Sequence, residues 1–118
     1  MNYLDYLGIE YSEYNCYELL RLVYEKELGI ILPNFQAEKI INERVDNWIE
    51  IESDFKIFDV LLFSRGNGRH VGIVVGDNLM LHTVNNKNSC VERYDRKQWK
   101  NNLISVYRHR NRTNDTVQ

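Results

Sequence analysis

The sequence contains little cysteine or proline. Only two of its 118 residues are cysteines, Cys16 and Cys90, and Pro33 is its one proline. Two cysteines cannot build the multi-bridge framework that stabilises small secreted domains. We therefore expect a fold stabilised by an ordinary hydrophobic core, with both cysteines as thiols rather than as a single Cys16–Cys90 bridge.

Long apolar runs and a strong net charge are also absent. No run approaches the roughly 20 apolar residues that a membrane-spanning helix needs, and the first residues lack the pattern of a signal peptide. The formal net charge is -2, which gives no basic surface for nucleic acid or for an anionic membrane. We expect no nucleic-acid partner and no membrane insertion.

The order of the hydrophobic patterns predicts an α+β domain. A helix is expected from Cys16 to about Leu28, where Gly29 would end it, and a second helix from residue 37 to residue 51. Alternating or short apolar runs then predict strands near residues 60–63, 70–75, 79–84, 90–94 and 103–107, with a short helix at 96–99. Residues 1–110 would form one domain, and the polar residues 111–118 a flexible tail.

Cys16 lies at the predicted start of the first helix. Asn15 is a good N-cap residue, and Glu18 stands where the carboxylate of a capping box would be. The amide groups and partial positive charge of a helix N-terminus favour a thiolate over a thiol. Cys16 is therefore a candidate nucleophile.

Two histidines are placed to serve such a thiol. His70 opens one predicted strand, and His82 lies on the returning strand of the same hairpin, so the two rings would lie at roughly opposite positions. A cysteine hydrolase needs an imidazole to accept and return a proton, and a third group that orients that imidazole. His70 and His82 suit these two roles.

Simpler interpretations of the same residues remain open. Cys16 could be a small buried hydrophobic residue, and the two histidines a surface pair or part of a zinc site. The chain has no Cys-x-x-Cys or His-x-x-x-His motif, so we expect no metal.

Several segments, taken together, resemble the NlpC-type cysteine peptidases, a papain-like family that cleaves peptidoglycan stem peptides. The matching segments follow the order of that family: Asn15-Cys16-Tyr17-Glu18-Leu19-Leu20, Gly29-Ile30-Ile31-Leu32-Pro33, Phe58-Asp59-Val60-Leu61-Leu62-Phe63, His70-Val71-Gly72-Ile73-Val74 and Leu81-His82. They cover roughly residues 9 to 108. The Cys-Tyr start and the stretch 25–30 look most like the small hydrolases of phage tail tips.

The resemblance implies a papain-like fold, with N-terminal helices packed on a small antiparallel sheet. It also implies a Cys-His-His triad of Cys16, His70 and His82. An upstream tyrosine would line the oxyanion site, where Tyr11 is the best match and Tyr14 the second candidate. No cofactor is implied.

The implied activity is that of a cysteine endopeptidase acting on peptidoglycan peptides, by analogy at the γ-D-glutamyl–diaminopimelate bond. The protein would be made in the bacterial cytoplasm and incorporated in a virion tail, with other tail-tip proteins as partners. Glu18 replaces a glycine of the family pattern, and the loop before Cys16 is short. A weakly active or inactive structural component of a phage tail therefore stays as an alternative, as does a thioesterase or acyltransferase that uses the same residues.

Overall fold

The structure is a computed structural model that describes residues 1–12, 14–33, 47–66, 68–84 and 87–111. A 3-10 helix spans Tyr3–Tyr6, and helix α1 spans Cys16–Val23 and continues as a π-helical segment over Tyr24–Leu28. The other described elements follow in chain order: β1 Trp48–Ile51, β2 Val60–Arg65, β3 Gly68–Gly76, β4 Leu79–His82, β5 Cys90–Arg93, helix α2 Lys97–Lys100 and β6 Leu103–His109.

The six strands form one sheet in the order β1-β6-β2-β3-β4-β5. Every pair of neighbouring strands is antiparallel. The α+β class and the packing of an N-terminal helix on an antiparallel sheet are thus confirmed.

The sheet buries both of its faces, because successive side chains of a strand point to opposite sides. We call the side covered by α1 the first face; there Leu20 and Val23 pack with Val71 and Ile73. We call the other side the second face, where Phe63, Val74, Met80 and Trp99 form a separate buried cluster. Trp99 belongs to α2, so among the described residues a helix packs on each face of the sheet.

The helical region formed by α1 and the π-helical segment, from Cys16 to Leu28, begins and ends where the sequence predicts. The Asn15 side chain accepts a hydrogen bond from the Glu18 amide at 2.9 Å, and the Glu18 carboxylate accepts one from the Asn15 amide at 3.0 Å. Gly29 follows the π-helical segment with φ of 67°, a left-handed conformation that glycine adopts at little cost.

The predicted helix over residues 37–51 is wrong in its last part. Residues 37–46 lie outside the described residues, but Trp48–Ile51 is a strand paired with β6. Isoleucine and tryptophan favour strands, and Trp48 and Ile51 lie opposite His109 and Val106. Pairing with the edge of the sheet therefore prevails over the helical spacing of the apolar residues.

A buried ion pair joins the start of β2 to β6. The Asp59 carboxylate is fully buried and accepts two hydrogen bonds from the Arg108 guanidinium, at 2.8 and 2.9 Å. Within the described ranges, no helix has the length and apolar character needed to cross a membrane.

Candidate active site

Two buried histidines meet on the second face of the sheet. His70 lies on β3 opposite Phe63, which places its ring on the side of Phe63 and Trp99. Its Nε2 lies 2.8 Å from Nδ1 of His82, within hydrogen-bond distance. Both residues are almost fully buried.

The two histidines are diagonal rather than opposite neighbours. Leu81 pairs with Ile73, and continuing that register places His82 beside Gly72. A Cβ at Gly72 would lie 2.7 Å from the sulfur of Met80, so the strands are closely packed at this point. His70 and His82 are therefore diagonal neighbours on adjacent strands, and at that separation two ring side chains can still contact each other.

Burial keeps both rings neutral. Loss of hydration, together with the neighbouring His82 and Arg65, lowers the pKa of His70 to about 3. Burial also lowers the pKa of His82 to about 4, against the opposing effect of the Glu92 carboxylate. At neutral pH, His70 is therefore a neutral imidazole that can accept a proton.

Trp99 and Glu92 complete the surroundings of the histidine pair. The Trp99 ring stacks on His70 with centroids 5.2 Å apart and meets His82 edge-on at 5.0 Å. Its indole nitrogen donates a hydrogen bond to Glu92 at 2.7 Å. A carboxylate oxygen of Glu92 lies 3.7 Å from Nε2 of His82. The side chains around the pair thus hold both rings in fixed orientations.

Cys16 is the first residue of α1 and is half-buried. It packs against the apolar cluster of the first face. The Glu18 carboxylate is engaged by the Asn15 amide. This hydrogen bond orients Glu18 toward the N-cap, which reduces its freedom to approach the thiol.

The two candidate oxyanion tyrosines lie in different surroundings. Tyr14 lines a cleft beside α1, together with Glu18 and Arg21. Tyr11 is half-buried and follows Glu10, which forms an isolated bridge to Asn88. Tyr14, the second candidate of the sequence, is thus the tyrosine that lines this cleft.

The structure brings His70 and His82 together, and it adds a cysteine beside them. Cys90 lies directly opposite His82 on β5. The side-chain atoms of His82, Cys90 and Glu92 that could bind a metal lie within 4.8 Å of one another. Cys16 lies at the start of α1, the helix that packs on the first face. The triad of Cys16, His70 and His82 stays a prediction.

A cleft of about 530 Å³ opens next to Trp99 and Glu92, the two side chains that flank the histidine pair. Trp99 and Glu92 line it, and Arg65 and Lys87 bring positive charge to it. The Arg65 guanidinium lies over the Trp99 ring, 5.3 Å from its centroid. A negatively charged ligand would therefore meet cationic side chains in this cleft.

The sequence indicates the histidines but not Glu92, Trp99 or Cys90. Their positions depend on the register between β4 and β5 and on the docking of α2, which single-residue patterns do not specify. The alternation of side chains along β5 is a signal that could have placed Cys90 and Glu92 together, since they are two residues apart and share a face of the strand.

The family model of the NlpC/P60 family matches residues 3–108. The chain belongs to the NlpC/P60 family. The match includes all six strands except the last residue of β6, together with Cys16, His70 and His82.

Solved structures of NlpC/P60 proteins share the fold. One is a lipoprotein-like protein of the NLP/P60 family from Staphylococcus aureus Mu50, with a TM-score of 0.68 and 23% identity over 89% of this chain. This chain spans 38% of that protein's chain. Another is the NlpC/p60 domain of the peptidoglycan hydrolase SagA, with a TM-score of 0.65 and 21% identity, covering 89% of this chain and 91% of that domain. No curated protein sequence is significantly similar to this chain.

Proposed function

We propose that this NlpC/P60 protein is a cysteine peptidase that hydrolyses peptidoglycan stem peptides, at the γ-D-glutamyl–diaminopimelate bond. The observation that carries the proposal is the family match over residues 3–108. That match includes a cysteine at a capped helix start and a buried, neutral histidine pair. The peptidoglycan hydrolase SagA, whose domain has the same fold, supports the choice of substrate class.

In the proposed reaction the Cys16 sulfur attacks the amide carbonyl while its proton passes to His70. Nε2 of His70 faces His82, so the proton is taken and returned through Nδ1. His70 then protonates the leaving amine, and a thioester joins the acyl group to Cys16. Water attacks the thioester, which releases the acid and restores the thiol. His82 orients the His70 ring and accepts a hydrogen bond from Nε2 when His70 carries two protons.

The charge of the cleft supports an acidic peptide as substrate. Stem peptides carry carboxylates on their D-glutamyl and diaminopimelyl residues, and Arg65 and Lys87 line the cleft next to Trp99. Guanidinium and ammonium groups bind carboxylates through charge-assisted hydrogen bonds. Both cations are exposed, so they would contribute to selection and capture of the substrate more than to the chemical step.

Mass spectrometry of a stem tetrapeptide incubated with the protein tests this function. We expect two products that arise by cleavage of the γ-D-glutamyl bond and whose masses sum to that of the substrate plus one water. Cys16→Ala should give no cleavage. Cleavage at another bond would contradict the proposed specificity. Equal cleavage by Cys16→Ala would contradict the proposed nucleophile, and an intact substrate with the folded wild-type protein would favour the structural role.

We propose further that the protein acts within a phage tail. This rests on the resemblance of the Cys-Tyr start and of residues 25–30 to small tail-tip hydrolases. Neighbouring tail proteins would then bring the chain to the cell wall. Peptide mass spectrometry of purified virions should detect the chain in stoichiometric amounts relative to tail proteins. Its presence only in the host lysate would contradict this placement.

A further inference from the structure

Three potential metal ligands lie close together at the edge of the histidine pair. They are Nε2 of His82, the thiol of Cys90 and the carboxylate of Glu92, with all ligand atoms within 4.8 Å of one another. Cys90 lies opposite His82 on the neighbouring strand, and Glu92 follows two residues later on the same face. The ligands come from paired strands, which is why no contiguous metal-binding motif marks them in the sequence.

The His82 nitrogen points to a ligand by itself. The His82 side chain is fully buried, and among the described residues its Nε2 has no hydrogen-bond partner. A buried polar atom left in this state costs free energy, unless a group such as an ion or a water occupies the space beside it. The nearest charged atom is the Glu92 oxygen, at 3.7 Å.

The separations suit a tetrahedral zinc ion. Zinc bonds of about 2.0–2.3 Å to nitrogen, oxygen and sulfur place neighbouring ligand atoms about 3.3–3.6 Å apart. The 3.7 Å between His82 and Glu92 is close to that value, and small rotations of the half-buried Cys90 and Glu92 side chains would bring all three into range.

The second shell is also in place. Nδ1 of His82 lies 2.8 Å from His70, and Glu92 accepts a hydrogen bond from Trp99. Ligating histidines in proteins use their other ring nitrogen in this way, and ligating carboxylates are themselves hydrogen-bonded. Because one imidazole, one thiolate and one carboxylate form a mixed borderline-soft donor set, zinc fits better than magnesium or calcium.

We propose that His82, Cys90 and Glu92 bind a zinc ion with a fourth position open to solvent. Binding would release the thiol proton of Cys90 to solvent, because only the thiolate is a good ligand. Cys16 is not one of the three proposed ligands.

One consequence rests on the proposed function. A histidine that gives Nε2 to a metal carries its proton on Nδ1, so His82 would donate to His70 instead of accepting from it. Zinc would then prevent His82 from supporting a doubly protonated His70, and the ion would inhibit hydrolysis. Zinc titration of the chelator-treated enzyme should lower the rate; an unchanged rate with the site filled would contradict this consequence.

Cobalt binding in the absence of substrate tests the site independently of any peptidase activity. Wild type and Cys16→Ala, stripped with chelator, should each bind one Co²⁺ and show a thiolate-to-cobalt charge-transfer band. Cys90→Ser should lose the band, and both Cys90→Ser and Glu92→Gln should raise the dissociation constant for zinc at least about tenfold.

The outcomes that overturn the proposal are equally specific. They are the absence of a thiolate band in folded wild type, the same band in Cys90→Ser, or loss of the band in Cys16→Ala alone, which would place the ion at the other thiol. Should Cys90→Ser fail to fold by circular dichroism, an unchanged zinc affinity in Glu92→Gln would overturn the proposal.

Discussion

At the scale of single residues, His82 occupies the most constrained position of the site. One ring nitrogen faces His70 at 2.8 Å and the other lies 3.7 Å from Glu92, while Trp99 covers the ring edge-on. In the proposed reaction His82 touches no reacting atom, so it is a positioning residue. Its effect on the reaction should pass through the orientation and protonation of His70.

Replacing His82 should therefore reduce kcat more than it alters KM. We expect His82→Ala to lower kcat by about 10²-fold or more, because His70 loses the partner that fixes its ring. His82→Asn should recover part of the loss, since its amide oxygen can accept a hydrogen bond from His70. Steady-state kinetics on a stem peptide measure both constants; equal rates for the Ala and Asn variants would contradict the positioning role.

The buried histidines also make stability depend on pH. Their pKa values in the folded protein are about 3 for His70 and about 4 for His82, both lowered mainly by burial, against 6.5 when unfolded. Above 6.5 both states hold the rings neutral. As the pH falls from 6.5 toward the folded values, the unfolded state takes up protons that the native state does not, so stability decreases.

Each ring contributes to this loss by up to about 1.4 kcal/mol per pH unit. Urea unfolding at pH 7 and at pH 5 should show a larger fall for wild type than for His82→Asn, which retains only one of the two rings. The same fall in both proteins would show that the pair is not buried and neutral in solution.

At the scale of elements, the capping box fixes the start of α1 and hence the backbone position of Cys16. The Asn15 side chain and the Glu18 carboxylate exchange hydrogen bonds with each other's backbone amides. Asn15→Ala should lower the free energy of unfolding by about 1 kcal/mol, and Asn15→Ser should restore most of it. Chemical denaturation measures both; equal stability of the Ala and Ser variants would mean that the cap contributes little.

Among the elements, those set by local interactions can be predicted from the sequence, and those set by distant pairing cannot. The start and end of the first helix follow from local chemistry, as Asn15, Glu18 and Gly29 act within one turn of their own backbone. The sequence predicts helix for the residues of β1, because their strand conformation depends on pairing with β6, about 60 residues away. The positions of Glu92 and Trp99 beside the histidines depend on register and docking, which are likewise non-local.

At the scale of the whole molecule, the buried ion pair between Asp59 and Arg108 ties the middle of the chain to the last strand of the sheet. Asp59 is fully buried, and its partner lies on β6 at the end of the matched region. Arg108→Gln would leave this carboxylate buried with weaker partners. We expect a loss of about 3 kcal/mol in unfolding free energy.

Arg93→Gln is the matched control for that substitution. Arg93 pairs with Asp95, and both side chains are exposed, so breaking this pair should cost much less than breaking the buried one. Urea denaturation of the two variants beside wild type measures the difference. Similar losses in both variants would contradict a structural role for the buried pair.

The central claim is that an acyl group is transferred to Cys16, and the covalent intermediate tests it most directly. The protein should be denatured with acid during turnover of a stem peptide, weighed intact, and digested to locate the adduct. We predict an adduct with the mass of the acyl fragment on the peptide containing Cys16, present in Cys90→Ala and absent in Cys16→Ala. An adduct on Cys90, which lies opposite His82, would contradict the account and make Cys90 the nucleophile.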